Sequence, residues 1–287
     1  MKHLLILLLA LCAATHISNA AVTVIGSLSR TATIKPGDPF EGVVFLKNTG
    51  KEPADVRVSQ SDYLFRADGT NDYGEPGKTP RSNAGWITVS PTRVKISPGE
   101  TLPVRYKGRA PADPKLRGTF WSMIMIEPGS APAITPDGKV NQVAVGLQTA
   151  IRFAIQLVTE IGNAGTRSLK VQEKRIVQSD GKRTLQLDIA NDGERLLVPM
   201  MTVELFDRQG ASIGRFDAGR SRIYPTCSVR AKVDLSDVPP GKYTAMVLLD
   251  SGDAQVMGAQ YELEISAEAP GAIPPAPSLQ NEIISAR

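Results

Sequence analysis

Histidine and cysteine are almost absent from this chain of 287 residues, which contains two of each. His3, His16 and Cys12 all lie near the start, so that Cys227 is the only one of the four beyond residue 20. Histidine is the commonest general base and a frequent ligand of borderline metals. Ser-His-Asp catalysis, Cys-His catalysis and histidine metal sites are therefore excluded for the chain after residue 20.

Other enzyme classes also find little support in the sequence. A glycosidase needs only two carboxylates, but no pair of Asp or Glu residues stands out from the solvated charges. The formal net charge is +4 with the two signs interspersed, whereas nucleic-acid binding favours a concentrated basic face. We therefore expect a protein that is not an enzyme, with no cofactor, no metal and no nucleic-acid partner.

Residues 1–20 have the composition of a secretory signal peptide. Lys2 supplies the positive start, Leu4 to Leu11 form an apolar run, and Ser18-Asn19-Ala20 resembles a cleavage site with small residues. That run is too short to span a membrane, and no later segment approaches the roughly 20 apolar residues required. We expect an exported protein without a membrane span, in which Cys227 shares its parity with apolar neighbours and is a core residue.

The remainder of the chain consists of short runs with a period of two, separated by clusters of Gly, Pro, Asn and Asp, as is typical of β-strands. In the first half the predicted strands are 21–34, 40–48, 54–64, 86–97, 101–109, 117–127 and 140–158. After a polar linker at 161–168 they are 169–178, 183–190, 196–206, 213–223, 226–235, 242–250 and 256–266. This number and spacing indicates an all-β chain of two immunoglobulin-like β-sandwich domains in tandem.

The predicted domains are 21–160 and 169–267, and the Pro-rich tail at 268–287 is expected to be disordered. A long polar insert at 67–85 interrupts the first domain. Its carboxylates at Asp68, Asp72 and Glu75 allow a calcium loop as one interpretation, although their spacing does not match an EF-hand. The other interpretation is a solvated surface loop.

The most regular alternation lies between Val140 and Leu157, where apolar or β-branched residues occupy the odd positions. Ordinary strands have about 5–6 residues, so a strand of this length either bends or projects as an apolar edge that another chain can use. The alternative is that the whole apolar parity faces the core of its own domain.

Five stretches of the first half follow one another in an order and spacing found in a known family. They are Ser27-Leu-Ser-Arg-Thr31, Leu46-Lys-Asn48, Pro91-Thr-Arg-Val-Lys-Ile-Ser-Pro-Gly99, Arg117-Gly-Thr-Phe-Trp-Ser-Met123 and the alternating segment from Val143 to Arg152. Together they resemble the periplasmic pilus (fimbrial) chaperones of the PapD-like superfamily, over most of residues 21–158. The resemblance implies a periplasmic chaperone whose partners are pilus or related surface subunits, with an outer-membrane usher as a further candidate.

In that family the edge strand is inserted into an incomplete sandwich of the subunit, which is donor-strand complementation, a form of β-augmentation. By position, the edge strand corresponds to 140–152, and Val143, Val145 and Leu147 correspond to the donated side chains. The family also binds the C-terminal carboxylate of its subunit with two basic residues. One corresponds to Arg152. The other falls on Ala32, so that Arg30, two residues earlier, is the candidate replacement; a solvent-facing charge is the alternative for each arginine.

The second domain matches the family less well, because Ile189-Ala-Asn-Asp-Gly193 stands where an Asn-Pro-Thr stretch is usual. A second hypothesis is therefore a structural or adhesive β-sandwich module of a secreted surface assembly, which binds copies of itself or a matrix.

Overall fold

The computed structural model describes residues 22–129, 151–179, 181–252 and 256–266. The chain divides into two compact units, of which the first takes its described residues from 1–64 and 72–164, and the second from 65–71 and 165–287. Within these described ranges no helix has the length and apolar character needed to cross a membrane. The prediction of an all-β chain built from two β-sandwiches is confirmed.

Most strands of the first unit lie within the predicted period-two runs, whereas β5 (Asn71–Gly74) lies in the polar insert. In chain order the strands are β1 (Val22–Ile25), β2 (Ser29–Ile34), β3 (Pro39–Asn48), β4 (Ala54–Phe65), β5 (Asn71–Gly74), β6 (Ile87–Ser90), β7 (Arg93–Ile96), β8 (Thr101–Arg109), β9 (Gly118–Pro128) and β10 (Phe153–Ile161). A single turn of 3₁₀-helix, Ala84–Trp86, precedes β6.

Two sheets pack face to face in the first unit. Sheet I has the strand order β1-β3-β8-β6, and sheet II has the order β2-β10-β9-β4-β5, with β7 also paired to β4. Alternate residues of both sheets fill the core; among them are Val44, Leu46, Val56, Ile124 and Ile155, all fully buried. This is the alternation that a half-buried strand requires. The central strand β9 is buried along most of its length, in agreement with its apolar run from Phe120 to Ile126.

Two stretches that the sequence predicted as single strands are each divided between the sheets. The run 21–34 breaks at Gly26, whose φ of 93° favours glycine, and continues in sheet II as β2. The run 86–97 breaks at Pro91, which has no N–H to donate to a ladder, so that β6 lies in sheet I and β7 in sheet II. The prediction of one strand for each run was wrong, because a sandwich lets a strand change sheets at such a break.

Strands β3 and β8 are joined by two reciprocal pairs of an aromatic residue and a glycine. Gly42 lies opposite Tyr106, and Phe40 lies opposite Gly108. A Cβ on Gly42 would be 2.2 Å from the Tyr106 hydroxyl oxygen, and one on Gly108 would be 2.4 Å from the Phe40 ring. Each ring therefore covers the backbone of the glycine across from it.

The second unit repeats the same architecture. Its strands are β11 (Leu169–Ser179), β12 (Lys182–Asn191), β13 (Met200–Phe206), β14 (Ser212–Arg220), β15 (Ser228–Asp234), β16 (Gly241–Asp250) and β17 (Met257–Ile265). They form a sheet of order β11-β12-β15 and a sheet of order β14-β13-β16-β17.

Cys227 is a fully buried free thiol, which confirms its prediction as a core residue. Burial raises the pKa of this thiol, and the thiolate needed for reactivity is thereby disfavoured.

In each unit an asparagine at the end of a strand closes the turn that follows: Asn48 after β3 and Asn191 after β12. In the first unit the Asn48 side-chain amide donates to the carbonyl oxygens of Glu52 (2.7 Å) and Ile96 (2.9 Å), while its oxygen accepts the N–H of Gly50 (2.8 Å). Asn191 makes the equivalent three bonds in the second unit, to Arg195, Ile223 and Gly193. Both asparagines are almost completely buried. Each asparagine thereby binds backbone groups of its own turn and of a segment distant in the sequence.

Candidate functional site at the start of strand β10

Strand β10 has partners on both sides for only part of its length. It pairs antiparallel with β9 from Phe153 to Ile161, but it pairs parallel with β2 only from Gln156 onward. The N–H of Gln156 donates to the carbonyl oxygen of Leu28 at 2.8 Å, and this is the first bond on the β2 side. Among the described residues, Phe153 to Ile155 therefore present an open edge to the β2 side of the sheet. The predicted edge strand 140–152 leads directly into this edge.

The odd positions of the alternating segment face the core where the structure describes them. Ile155 and Leu157 are almost completely buried, and Phe153 packs against the same core cluster. For residues 153–157 the core-facing interpretation is therefore the right one. Ile151, on the same parity, is 44% exposed, so the apolar parity reaches solvent two residues before β10 begins. The predicted donor residues Val143, Val145 and Leu147 lie outside the described residues and stay a prediction.

Arg152 lies at the start of this open edge, on the face of sheet II that points away from the core. Its side chain is 67% exposed, and its Nε is 3.5 Å from Oε1 of Glu127 on β9. The surface position gives this ion pair a small free energy, because exposed pairs are worth about 0–1 kcal/mol. The Arg152 guanidinium is therefore only weakly held by Glu127.

Arg30, the second predicted carboxylate ligand, does not lie beside Arg152. It stands opposite Leu157 in the β2–β10 ladder, and side chains of paired residues share a face. Because Leu157 faces the core and Arg152 is on the opposite parity, the two arginines point to opposite sides of sheet II. Position 157 is also five positions beyond position 152, which is about 16 Å along a strand.

The half-buried Arg30 instead lies near Tyr106. Burial raises the pKa of the Tyr106 phenol, and the positive charge of Arg30 opposes that effect. The β2 residues that share the face of Arg152 are Ser29, Thr31 and Thr33, opposite Gln156, Val158 and Glu160. None of these three β2 residues is basic. The register of β2 and β10 therefore does not bring Arg30 and Arg152 together on one carboxylate.

The polar insert contains residues that support β10, which the sequence did not predict. Asn83 is fully buried, and its amide donates to the Leu157 carbonyl oxygen (3.0 Å) and to the Thr159 hydroxyl (2.9 Å). The insert thereby braces the middle of β10 from the core side. No local sequence pattern predicts this role of Asn83, because its partners Leu157 and Thr159 lie 74 and 76 residues away in the sequence.

A buried carboxylate holds the same insert in place. Asp62 accepts N–H groups from Gly77 (3.0 Å), Lys78 (2.8 Å) and Thr79 (2.7 Å), and also the Ser82 hydroxyl. Burial pushes the pKa of Asp62 up, but the hydrogen bonds from Ser82, Thr79 and Gly77 outweigh burial and leave that pKa below its ordinary value. The 67–85 segment is therefore an anchored element that includes β5, and not only a solvated loop.

The calcium interpretation of this segment gains no support. Within the part of the chain that the structure describes, no three His, Cys, Asp or Glu residues are grouped so that they could hold a metal ion. Asp68 instead accepts the N–H of Thr70 at 2.9 Å in a local turn.

The four sheets, divided between two compact units, define a two-unit β-sandwich protein. No family model and no curated protein matches the chain. Among solved structures, a chaperone–tip adhesin complex of CFA/I fimbriae biogenesis is similar with 14% identity and a TM-score of 0.46, covering 85% of this chain and 98% of the other. The class 5 fimbriae chaperone CfaA is similar with 12% identity and a TM-score of 0.44, covering 85% and 99%.

A third similar structure is the CsuC–CsuE chaperone–tip adhesion subunit complex from archaic Csu pili of Acinetobacter baumannii. It has 13% identity and a TM-score of 0.41, and covers 84% of this chain and 98% of the other. Further similar structures include other chaperones, one of them in complex with a pilin. At these identities the likeness is one of fold alone.

Proposed function

We propose that this chain is a periplasmic, non-enzymatic chaperone that binds subunits of a pilus or a related surface structure. It does so by donating the edge strand 140–152 to an incomplete sandwich of the subunit. The proposal rests on the edge of β10, where Phe153 to Ile155 have no strand partner on the β2 side among the described residues. An unpaired edge offers main-chain donors and acceptors to an incoming strand, and alternate apolar side chains fill pockets along the partner.

The apolar parity supports this proposal as well. It emerges into solvent at Ile151, and upstream it continues in the sequence as Val143, Val145 and Leu147. Burial of each such side chain in a partner is worth about 1.5–3 kcal/mol. Donation of three side chains therefore provides a substantial part of the free energy of a stable complex.

Arg152 is proposed to bind the C-terminal carboxylate of the subunit, since its guanidinium is exposed and offers two parallel N–H donors. Arg30, which points to the other face of sheet II, serves as the comparison: we expect Arg152→Ala to weaken subunit binding and Arg30→Ala to leave it nearly unchanged. The register of β2 and β10 motivates this difference.

The test is co-purification of tagged full-length chain from periplasmic extract, with stoichiometry measured by mass spectrometry. One triple variant places aspartate at the odd positions, as Val143→Asp, Val145→Asp and Leu147→Asp. Its matched control places the same three charges on the other parity, as Gln142→Asp, Ala144→Asp and Gly146→Asp. We expect the wild type and the control to retain a secreted subunit in a one-to-one ratio and the odd-position variant to lose it.

Retention of the subunit by both triple variants would refute donation by this edge. If both variants lose it although both unfold cooperatively, the charge of the segment matters and its parity does not. If the wild type recovers only copies of itself, the structural or adhesive module is the correct function. An outer-membrane usher, the further partner in this proposal, is expected to co-purify only together with the subunit complex.

A further inference from the structure

Four charged residues form one line across the outer face of sheet II. Arg93 on β7 is directly opposite Arg57 on β4, and Arg57 is directly opposite Glu127 on β9. Arg152, whose Nε is 3.5 Å from the Glu127 carboxylate, completes the line. We call these four residues the arginine row.

The arginine row points to solvent. The residues next to its members on β4, β7 and β9 are the buried or half-buried Val56, Val58, Val94 and Ile126, which belong to the core cluster or pack against it. Because successive side chains of a strand alternate between its faces, the row itself lies on the opposite face. Arg57, Arg93 and Arg152 are accordingly exposed.

The charges of the row are not balanced within the described residues. Glu127 is paired with Arg152, whereas Arg57 and Arg93 form no ion pair with any residue that the structure describes. Like charges directly opposite one another on a sheet are unfavourable. Two adjacent guanidinium groups, about 5 Å apart at their Cβ atoms, are therefore set up to bind an anionic group from outside.

The pattern of the row favours a polypeptide with carboxylate side chains over other anions. Glu127 lies within the row, and Asp55 lies beside it on β4. A uniformly negative surface, such as a nucleic-acid backbone or an anionic membrane, meets both carboxylates as well as the arginines. An acidic polypeptide can place its carboxylates against the arginines alone. Guanidinium groups also bind carboxylates bidentately.

A second copy of this chain is a poor occupant. In a twofold contact the same surface faces itself, so that two rows with a net positive charge, each with three arginines and one glutamate, would meet. Membrane insertion is also disfavoured. Among the described residues, none of the exposed large apolar side chains belongs to the row, and Ile151, which is the nearest of them in sequence to Arg152, is on the other parity.

We propose that Arg57 and Arg93, together with the neighbouring Arg152, bind an acidic segment of a partner protein. This site does not depend on strand donation, because Arg57 and Arg93 are on β4 and β7 and the donated strand precedes β10. It therefore adds a second contact surface to the edge described above.

The test measures binding of a fluorescein-labelled peptide, with glutamate alternating with serine, to the full chain by fluorescence anisotropy at low and high NaCl. The variant is Arg57→Gln/Arg93→Gln. The matched control is Arg105→Gln/Lys107→Gln, which removes two exposed charges from β8 in the other sheet. We expect at least a tenfold loss of affinity for the variant, less than a twofold loss for the control, and weaker binding of wild type at high salt.

Equal losses in the variant and the control would overturn the proposal, since binding would then follow net charge alone. Tighter binding of phosphatidylglycerol vesicles or of a single-stranded oligonucleotide than of the peptide would also overturn it. If the glutamine variant does not unfold cooperatively, Arg57→Lys/Arg93→Lys keeps both charges and removes the bidentate geometry, and we expect an intermediate loss. The odd-position triple aspartate variant of the edge strand is expected to bind the peptide like wild type, which separates this test from that of the edge.

Discussion

Replacement of Asn48 by alanine tests the hydrogen bonds that close the turn after β3. The side chain bonds three backbone groups, the carbonyls of Glu52 and Ile96 and the N–H of Gly50, at 2.7–2.9 Å. Asn48 is fully buried, so water cannot readily replace these bonds. A buried polar group left unsatisfied costs about 1–3 kcal/mol. Because Glu52 and Gly50 are near the surface and recover part of their hydration, we expect a total loss of about 3–5 kcal/mol.

Urea unfolding followed by tryptophan fluorescence measures this loss in the first unit, because Trp86 and Trp121 are the only tryptophans and both belong to it. With a slope of about 2 kcal/mol/M, the midpoint should fall by about 2 M. Asn48→Asp should be at least as damaging: the carboxylate can still accept the Gly50 N–H, but it cannot donate to either carbonyl.

The control is Asn163→Ala, which changes an exposed side chain and should alter stability by less than about 0.5 kcal/mol. Asn191→Ala should destabilise the second unit by an amount similar to Asn48→Ala in the first, followed by far-UV circular dichroism, because its three bonds are equivalent. A midpoint shift below about 0.5 M for a folded Asn48→Ala variant would refute the reasoning that these bonds stabilise the turn.

Three further changes test other parts of the first unit. The pKa of Asp62 is lowered in the folded chain, so its contribution to stability is present above the ordinary carboxyl pKa and lost as pH falls through the lowered value; Asp62→Asn should be less stable than wild type at pH 7, and thermal melts should show the difference shrinking below about pH 4. Gly42→Ala should cost about 1–3 kcal/mol in urea unfolding, because its Cβ would be 2.2 Å from the Tyr106 hydroxyl oxygen; a wild-type midpoint would show that the ring moves freely. Arg93→Thr should raise the melting temperature slightly, because it removes the repulsion from Arg57 without changing the Arg57–Glu127 cross-strand pair and favours the strand by about 0.2–1 kcal/mol; a lower melting temperature would contradict an unfavourable pair.

Much of the first unit could be predicted because strand periodicity is local. The alternation of Val56 and Val58 with charged or polar neighbours shows in a few consecutive residues which side of a strand is apolar. The structure confirmed that these residues fill the core. The break at Gly26 was not predicted, although a glycine inside a strand pattern is a signal for a bulge or a bend. The pattern also does not reveal that the second half of this run joins sheet II.

The candidate site was less predictable because its geometry depends on pairing between distant strands. Arg30 and Arg152 both looked suitable for one carboxylate. Their faces follow from the register of β2 against β10, in which Arg30 is opposite the core residue Leu157. The brace from Asn83 to β10 and the fixed insert around Asp62 likewise join residues that no short window contains.

The sequence by itself determined the all-β class, the positions of most strands and the apolar parity that leads into β10, since each of these depends on neighbours within a few residues. Only the tertiary structure decided that β10 is open before Gln156 among the described residues, that Arg30 and Arg152 face opposite sides, and that Arg57, Arg93, Glu127 and Arg152 form one row. The reason is physical: the period of a strand is a property of its own backbone, whereas its partner and register are selected by the packing of the whole sandwich.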